Sequence, residues 1–206
     1  MSQNSMITVS SLLDNSHGPN AAVSEARMSD LFFAYGSNMN LNQIGARCSK
    51  PFVISTARLA DRRLVFCGHS DVWDGGVETV EPMPGHEVWG VLFSLSKLNW
   101  ERLDLWQDAR MDGGGMYFHF PVSVLDSTGC ERNARVYKKD IQKEPTNPSR
   151  EYLDHIVQGA TENGLPQEYI EALRARPAQP ASYAVPARGT SDLGRSAGVS
   201  CSDCAA

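Results

Sequence analysis

An α+β fold is predicted for this 206-residue chain by three observations. Short runs rich in Val, Ile, Phe and Tyr fill the middle of the sequence, turn signals built on Gly and Pro separate them, and two amphipathic helical patterns follow near the end. The strands are not interleaved with regular crossover helices, and no Gly-rich phosphate loop or internal repeat is present. A closed or nearly closed sheet with flanking helices is the architecture this order favours. The length suits one domain with a real core.

The elements follow in order. "LFFAYG" at 31–36 is a short buried strand ending in a glycine turn. "NLNQIGARC" is a short helix with Asn40 as its cap, because an Asn side chain can accept a free first-turn N–H. "FVISTARLADRRLVFCG" reads as strand, then turn or bend, then strand. "GGVETVEP" and "HEVWGVLFSLS" read as two further strands around the turn signal "MPG". Ser96 caps "KLNWERLDLWQ", a partly helical segment whose apolar stripe is read as Leu98, Leu103, Leu105 and Trp106. "MYFHFPVSVLD" and "CERNARVYKK", joined by "STG", make a hairpin. Ser149 caps "REYLDHIVQGATENG", which Asn163-Gly164 ends, and Pro166 starts "QEYIEALRAR". Residues 1–28 are a polar, aperiodic leader, residues 29–176 the folded domain, and residues 177–206, rich in Pro, Ala, Gly and Ser, a disordered tail.

Composition narrows the function. Net charge is −5 with no block of Lys or Arg, which argues against a nucleic-acid surface and for a small-molecule partner. No apolar run approaches the ~18 residues of a membrane span, and the first residues lack the basic start and apolar stretch of a secretory signal. The chain is read as cytoplasmic, with no membrane partner. Its five cysteines do not form a disulfide framework. Cys201 and Cys204 have the spacing of half a zinc site without a second half nearby.

Three constellations could carry chemistry. The first is "YGSN", Tyr35, Gly36, Ser37 and Asn38, where a buried strand stops and backbone N–H groups converge with little side-chain cover. Such a bend can hold a carboxylate or carbonyl oxygen, and it can equally be an ordinary strand-to-helix turn. The second is Tyr117, Tyr137 and Tyr152, whose phenols could orient a polar substrate or simply sit half in the core. The third is the loop "WQDARMDGGGMY", where a carboxylate such as Asp108 or Asp112 could act as a base in a partly dry pocket, or be solvated. The histidines show no metal-ligand spacing; His69 with Asp71 and Asp74 reads as a solvated loop. No G-x-S-x-G elbow exists.

Taken in order, "FFAYGSNMN", "VWDGGVETV", "GHEVWGVLFSL", "LDLWQDARMDGGGMY" and "GATENGLPQEYIEAL" resemble the γ-glutamylcyclotransferases of the single-domain, cytosolic, AIG2-like kind, over about residues 31–174. The resemblance implies an α+β fold with a small β-barrel, no metal or organic cofactor, and conversion of a γ-glutamyl amide into 5-oxoproline and a free amine. The substrate carries its own nucleophile, the α-amine. Holding the chain curled can contribute roughly 7–11 kcal/mol in favourable intramolecular cases. The resemblance places the γ-glutamyl unit on Tyr35, Gly36, Ser37 and Asn38, with Tyr117, Tyr137 and Tyr152 nearby. It leaves open the identity of the leaving amine and the oligomeric state, a homodimer among the options.

The departure falls on the proton-transfer group. The family pattern L-D-x-x-E-G puts a general acid/base glutamate where this chain has Gln107, followed by Asp108. An amide cannot take a proton at neutral pH. Three outcomes stand: Asp108 is the base of an active cyclotransferase, Gln107 faces the cavity of a non-catalytic binder, or the cavity serves a different amide-cleaving reaction. The first is the working expectation.

Overall fold

A long bent hairpin organises the fold of the computed structural model, which describes residues 31–110, 112, 114–139 and 144–187. Its arms are β2 (Phe52–Ser70) and β3 (Gly75–Ser94). The other elements are β1 (Leu31–Ala34), a 3-10 turn (Ser37–Met39), α1 (Leu41–Arg47), α2 (Lys97–Gln107), β4 (Phe118–Asp126), β5 (Glu131–Lys138), α3 (Arg150–Glu162) and α4 (Gln167–Arg174). The strands close a barrel in the order β1-β3-β2-β4-β5. β1 runs antiparallel to β3, with Phe33 opposite Leu92, and parallel to β5, with Phe32 opposite Arg135. The α+β class and the closed sheet are as the sequence predicts.

The bend expected at "LADRR" is present as a register shift inside one continuous strand, while at "MPG", where two separate strands are expected, the strand also runs on. The ladder skips from Ala60–Glu87 to Arg62–Pro82. Asp61 and Gly85 both take positive φ, and the Gly85 N–H donates to Asp61 Oδ1 at 2.9 Å. The turn residues therefore make a bulge that bends the hairpin instead of ending its strands. The stripe on α2 is also corrected. Leu98 and Leu105 lie exposed and Trp106 is 40% exposed, while Asn99, Trp100 and Leu103 face the core.

Three caps form where the sequence places them. Asn40 Oδ1 accepts from Gln43 N, Ser96 Oγ from Asn99 N, and Ser149 Oγ from Tyr152 N. The core joins Phe33, Leu92 and Phe93 of the barrel to Met39, Leu153 and Ile156. α3 lies directly on the turn after β1. A Cβ on Gly159 would sit 2.5 Å from Asn40 N. At the end of α3, Asn163 Nδ2 donates to the Met39 carbonyl at 2.8 Å. The helix clamps the turn, so the bend's shape is fixed by contacts more than a hundred residues away in sequence.

Residues 177–187 correct part of the expected tail. Gln179 bridges Ser149, the Arg150 N–H donates to the Gln179 carbonyl, the Tyr183 hydroxyl donates to the Asp71 carbonyl, and Ala187 N donates to Val72 O. The folded body thus reaches 187. The leader at 1–28, the rest of the tail, and Cys201 and Cys204 lie outside the described residues. No helix among the described residues is long and apolar enough to cross a membrane.

Candidate active site

Strand β1 enters the core and stops at a bend buried throughout, Tyr35 to Asn40. The Gly36 carbonyl accepts from Met39 N at 2.9 Å and the Ser37 carbonyl from Asn40 N at 3.1 Å. Asn38 Oδ1 accepts from Arg47 Nη1 at 2.8 Å and from Gln43 Nε2 at 3.3 Å. Local capping and the α3 clamp together hold the bend rigid.

The side chain that meets this bend is Glu78, from the start of β3. It is 5% exposed. Oε1 accepts from the Ser37 N–H at 3.3 Å, and Oε2 accepts from the Tyr152 hydroxyl. A Cβ on Gly36 would lie 2.0 Å from Glu78 Oε1, so the carboxylate rests on the bare glycine backbone. The sequence reading does not single out Glu78. In "GGVETVEP" it looks like the polar member of an alternating strand, whose outer face would be wet. The segment before α3 covers that strand: the Gly76 N–H donates to Asn147 O and Thr146 N donates to Phe66 O. Gly75 and Gly76 permit the crossing, since Cβ atoms there would meet Ser149 N and Thr146 Oγ1 at 2.5 Å. Two signals point to the residue in hindsight: a glutamate just after a glycine pair that admits a covering segment, and a family glutamate missing from its usual place.

Burial pushes the Glu78 carboxyl up from the ordinary glutamate range. The Tyr152 hydroxyl, the Ser37 N–H and the Arg47 charge pull the other way and do not cancel it. Burial likewise raises Tyr35, Tyr117 and Tyr152 well above a free phenol. All three stay protonated donors at neutral pH.

The structure brings Tyr35, Gly36, Asn38, Gln107, Tyr117 and Tyr137 around one narrow slot with Glu78. Ser37 and Tyr152 line an adjacent cleft, which shares Gln107 and Tyr117 with the slot. The cleft measures about 480 Å³ and is also walled by Arg47, Trp73, Gln107 and His155. That is ligand-sized. The slot itself has space for about one water molecule at most. Burial lowers the Arg47 guanidinium and the His155 imidazole from their ordinary values. Arg47 Nη1 also reaches Gln107 Oε1 at 3.4 Å.

The phenols do not stand free to greet a ligand. The Tyr35 hydroxyl donates to the Tyr137 carbonyl, that of Tyr117 to the Glu78 carbonyl at 3.1 Å, and that of Tyr152 to the Glu78 carboxylate. Tyr137 turns its hydroxyl away, to Asp104 Oδ1 at 2.6 Å, where His119 shares the same oxygen. The expectation that Tyr137 presents its phenol to substrate is therefore corrected. Tyr137 contributes its backbone carbonyl and ring, and the tyrosines position β3, β5 and the Glu78 carboxylate.

Asp108 does not reach the slot. It ends α2 in the left-handed conformation, with φ 45°, and its side chain is 56% exposed. Oδ1 pairs with Arg110 Nε at 3.2 Å, and Oδ2 accepts from Met116 N at 3.2 Å. The helix terminates there and the carboxylate staples the loop, so Asp108 lines the wider cleft but not the slot. Gln107, the last helical residue, faces inward instead.

Known proteins resemble this chain in sequence and in fold. Residues 87–173 match the AIG2-like family. The chain is 38% identical over 149 residues to γ-glutamylcyclotransferase of Bos taurus, covering 70% of this chain and 77% of that one, and equally to the Homo sapiens enzyme. A solved γ-glutamyl cyclotransferase structure superposes with a TM-score of 0.70 at 37% identity, over 75% of this chain and 92% of the other. A second, the human protein loc79017, gives 0.68 at 35% identity, over 82% and 97% of the two chains.

Proposed function

Because the chain belongs to the γ-glutamylcyclotransferase family, we propose that it cleaves a γ-glutamyl amide by attack of the substrate's own α-amine on the γ-carbonyl. The products are 5-oxoproline and a free amine. The observation that carries this reading is the glycine bend with a buried carboxylate resting on it, next to a ligand-sized cleft that Ser37 of the bend helps to line.

The reaction asks the protein for three things: a grip on the curled glutamyl unit, relief of the ammonium proton, and stabilisation of the oxyanion that forms at the γ-carbon. The backbone amides of Gly36 and Asn38, on either side of the Ser37 N–H that Glu78 holds, suit the first and third tasks, because fixed N–H dipoles need no reorganisation when charge develops. The Arg47 side chain adds a positive wall to the cleft. Its described hydrogen bonds go to the amide oxygens of Asn38 and Gln107, which leaves its charge to attract the α-carboxylate of the glutamyl head. The aromatic walls of Trp73 and Tyr152, 4.6 Å apart between ring centroids, keep the site apolar and strengthen both interactions. Cys48, Cys67 and Cys130 are free thiols, which supports placement in the cytoplasm.

The test is a panel of γ-glutamyl dipeptides and γ-glutamyl amines incubated with the purified chain, with 5-oxoproline followed by mass spectrometry. A second reading, a binder that does not turn its ligand over, is favoured by Gln107 standing in the slot where the family pattern has a glutamate. Formation of 5-oxoproline by the wild type removes it. Binding of the panel without product removes the cyclotransferase.

A further inference from the structure

We infer that Glu78, on β3, moves the proton in this chain, in place of the carboxylate that the family pattern puts at position 107. The inference rests on the cyclotransferase reading and adds the residue that performs its central step.

Two side chains reach the same slot from different elements. Gln107 comes from the end of α2 and Glu78 from the start of β3, and both line the slot beside Tyr35 and Gly36. A carboxylate lost from one wall is thus present on the other. Glu78 is the one carboxylate lining that slot among the described residues, while Asp108 is held outward by Arg110 and Met116 N. Its position is also tightly set: Oε1 on the Ser37 N–H, Oε2 on the Tyr152 hydroxyl, and both above a glycine whose missing Cβ makes the room.

A purely structural part does not call for a carboxylate. A glutamine could serve both partners, its oxygen accepting from the Ser37 N–H and its amide nitrogen donating to the Tyr152 oxygen. That would avoid placing an ionisable group in a buried site, which is costly without a close ion pair. No salt bridge to Glu78 forms among the described residues. The groups that face it are Arg47 from α1, Tyr35 from the bend, Tyr117 from the segment before β4, Tyr152 from α3 and Cys67 from β2. Arg47 is the one cation in that set, and it acts through space.

The step balances as follows. The Glu78 carboxylate takes one proton from the substrate's α-ammonium, leaving a neutral amine. Its lone pair attacks the γ-carbonyl carbon, the C=O pair moves to oxygen, and the ring closes. The oxyanion collapses, the C–N bond to the departing group breaks, and protonated Glu78 gives its proton to that nitrogen. The ring nitrogen loses its extra proton to water and the freed amine gains one. No oxidant, reductant or co-substrate is needed.

The experiment compares wild type, E78Q, Q107E and E78Q/Q107E, using the full chain and the γ-glutamyl panel, with circular dichroism to confirm folding. Loss of a general acid/base predicts a kcat for E78Q lower by about 10²–10⁴-fold, with KM changed far less. Recovery of activity in E78Q/Q107E would show that the slot accepts the carboxylate from either wall. If the wild type forms no 5-oxoproline from any member of the panel, the functional reading fails and this inference goes with it. If the wild type is active and folded E78Q keeps its rate, the inference alone fails. Should E78Q not fold, the wild-type pH profile decides. An acidic limb in kcat/KM lying above the ordinary glutamate range supports Glu78. A profile flat from pH 5 to 8 overturns it.

Discussion

Replacing Gly36 by alanine tests the contact on which the site is built. Gly36 has φ −128°, outside the left-handed region, and G36A carries a cost of contact with Glu78. The new Cβ would stand 2.0 Å from Glu78 Oε1 and 2.4 Å from both Cδ and Cγ. Ordinary contact begins at 3.4 Å, so Oε1 must withdraw by 3.4 − 2.0, about 1.4 Å. The bond from Ser37 N is already 3.3 Å long, and that retreat breaks it. Overpacking of this kind costs about 1–3 kcal/mol. For a chain of this size, each kcal/mol lowers Tm by roughly 2–4 °C. A misplacement near 1 Å at reacting groups costs on the order of 10²-fold in rate. The assays are thermal unfolding and 5-oxoproline formation, run on wild type, G36A, E78A and G36A/E78A. If the clash is with Glu78, the alanine at 36 destabilises far less once Glu78 is cut back, with a coupling of about 1 kcal/mol or more. Equal destabilisation by G36A in both backgrounds would refute the proposed packing of carboxylate on glycine.

Other perturbations separate the roles of neighbouring residues. D108N should keep the wild-type rate within about twofold and change stability by no more than about 0.5 kcal/mol, because Asn tolerates the left-handed φ and its oxygen can still take the Met116 N–H; a hundredfold loss of kcat would return the base to Asp108. Y152F removes the hydroxyl that lowers the Glu78 pKa, so the acidic limb of kcat/KM should move to higher pH; movement to lower pH would contradict the hydrogen bond. Asp126 accepts from Thr128 N and Oγ1, Cys130 N and Arg132 Nε, and D126A should cost about 1–3 kcal/mol in a urea titration at pH 7. The hydroxyl of Thr128 and the Arg132 cation hold its carboxyl well below the usual range. Its contribution is therefore present above the unfolded aspartate value near 3.8 and fades as pH falls towards the lower folded value, so the wild type and D126A should converge in stability in strong acid.

The parts of this fold legible in the sequence are those decided locally. Asn40, Ser96 and Ser149 cap the helices they precede, because a short polar side chain before a helix has a free N–H within reach whatever the tertiary structure. Pro166 starts α4 for a similarly local reason. The bend at 35–38 was legible as a strand stopping on glycine. What was not legible depended on distant partners. "LADRR" and "MPG" carry turn chemistry, but pairing across the hairpin turns it into a bulge, since both strands gain more by continuing the ladder than by ending. On α2 the leucines at 98 and 105 look like core and are not, because only the face bearing Trp100 and Leu103 meets the barrel. Tyr137 reads as a pocket phenol, yet the pairing of His119 with Tyr137 across β4 and β5 sets both beside Asp104.

Glu78 is the sharpest case, and it shows why a motif and a site differ. A motif names a position along the chain, and at that position this sequence has an amide. The reaction asks for a carboxylate at a point in space: against the bend, out of water, within reach of the substrate's nitrogen. That point is bounded by the end of α2 on one side and by β3 on the other, and barrel closure fixes both walls. A carboxylate from β3 requires Gly36 beneath it, Tyr152 beside it, and a covering segment over Gly75 and Gly76 to keep it dry. Each of these is met here by residues far apart in sequence. The requirement that the site answers is geometric, so the position of the acid can change between walls while the chemistry it serves stays the same.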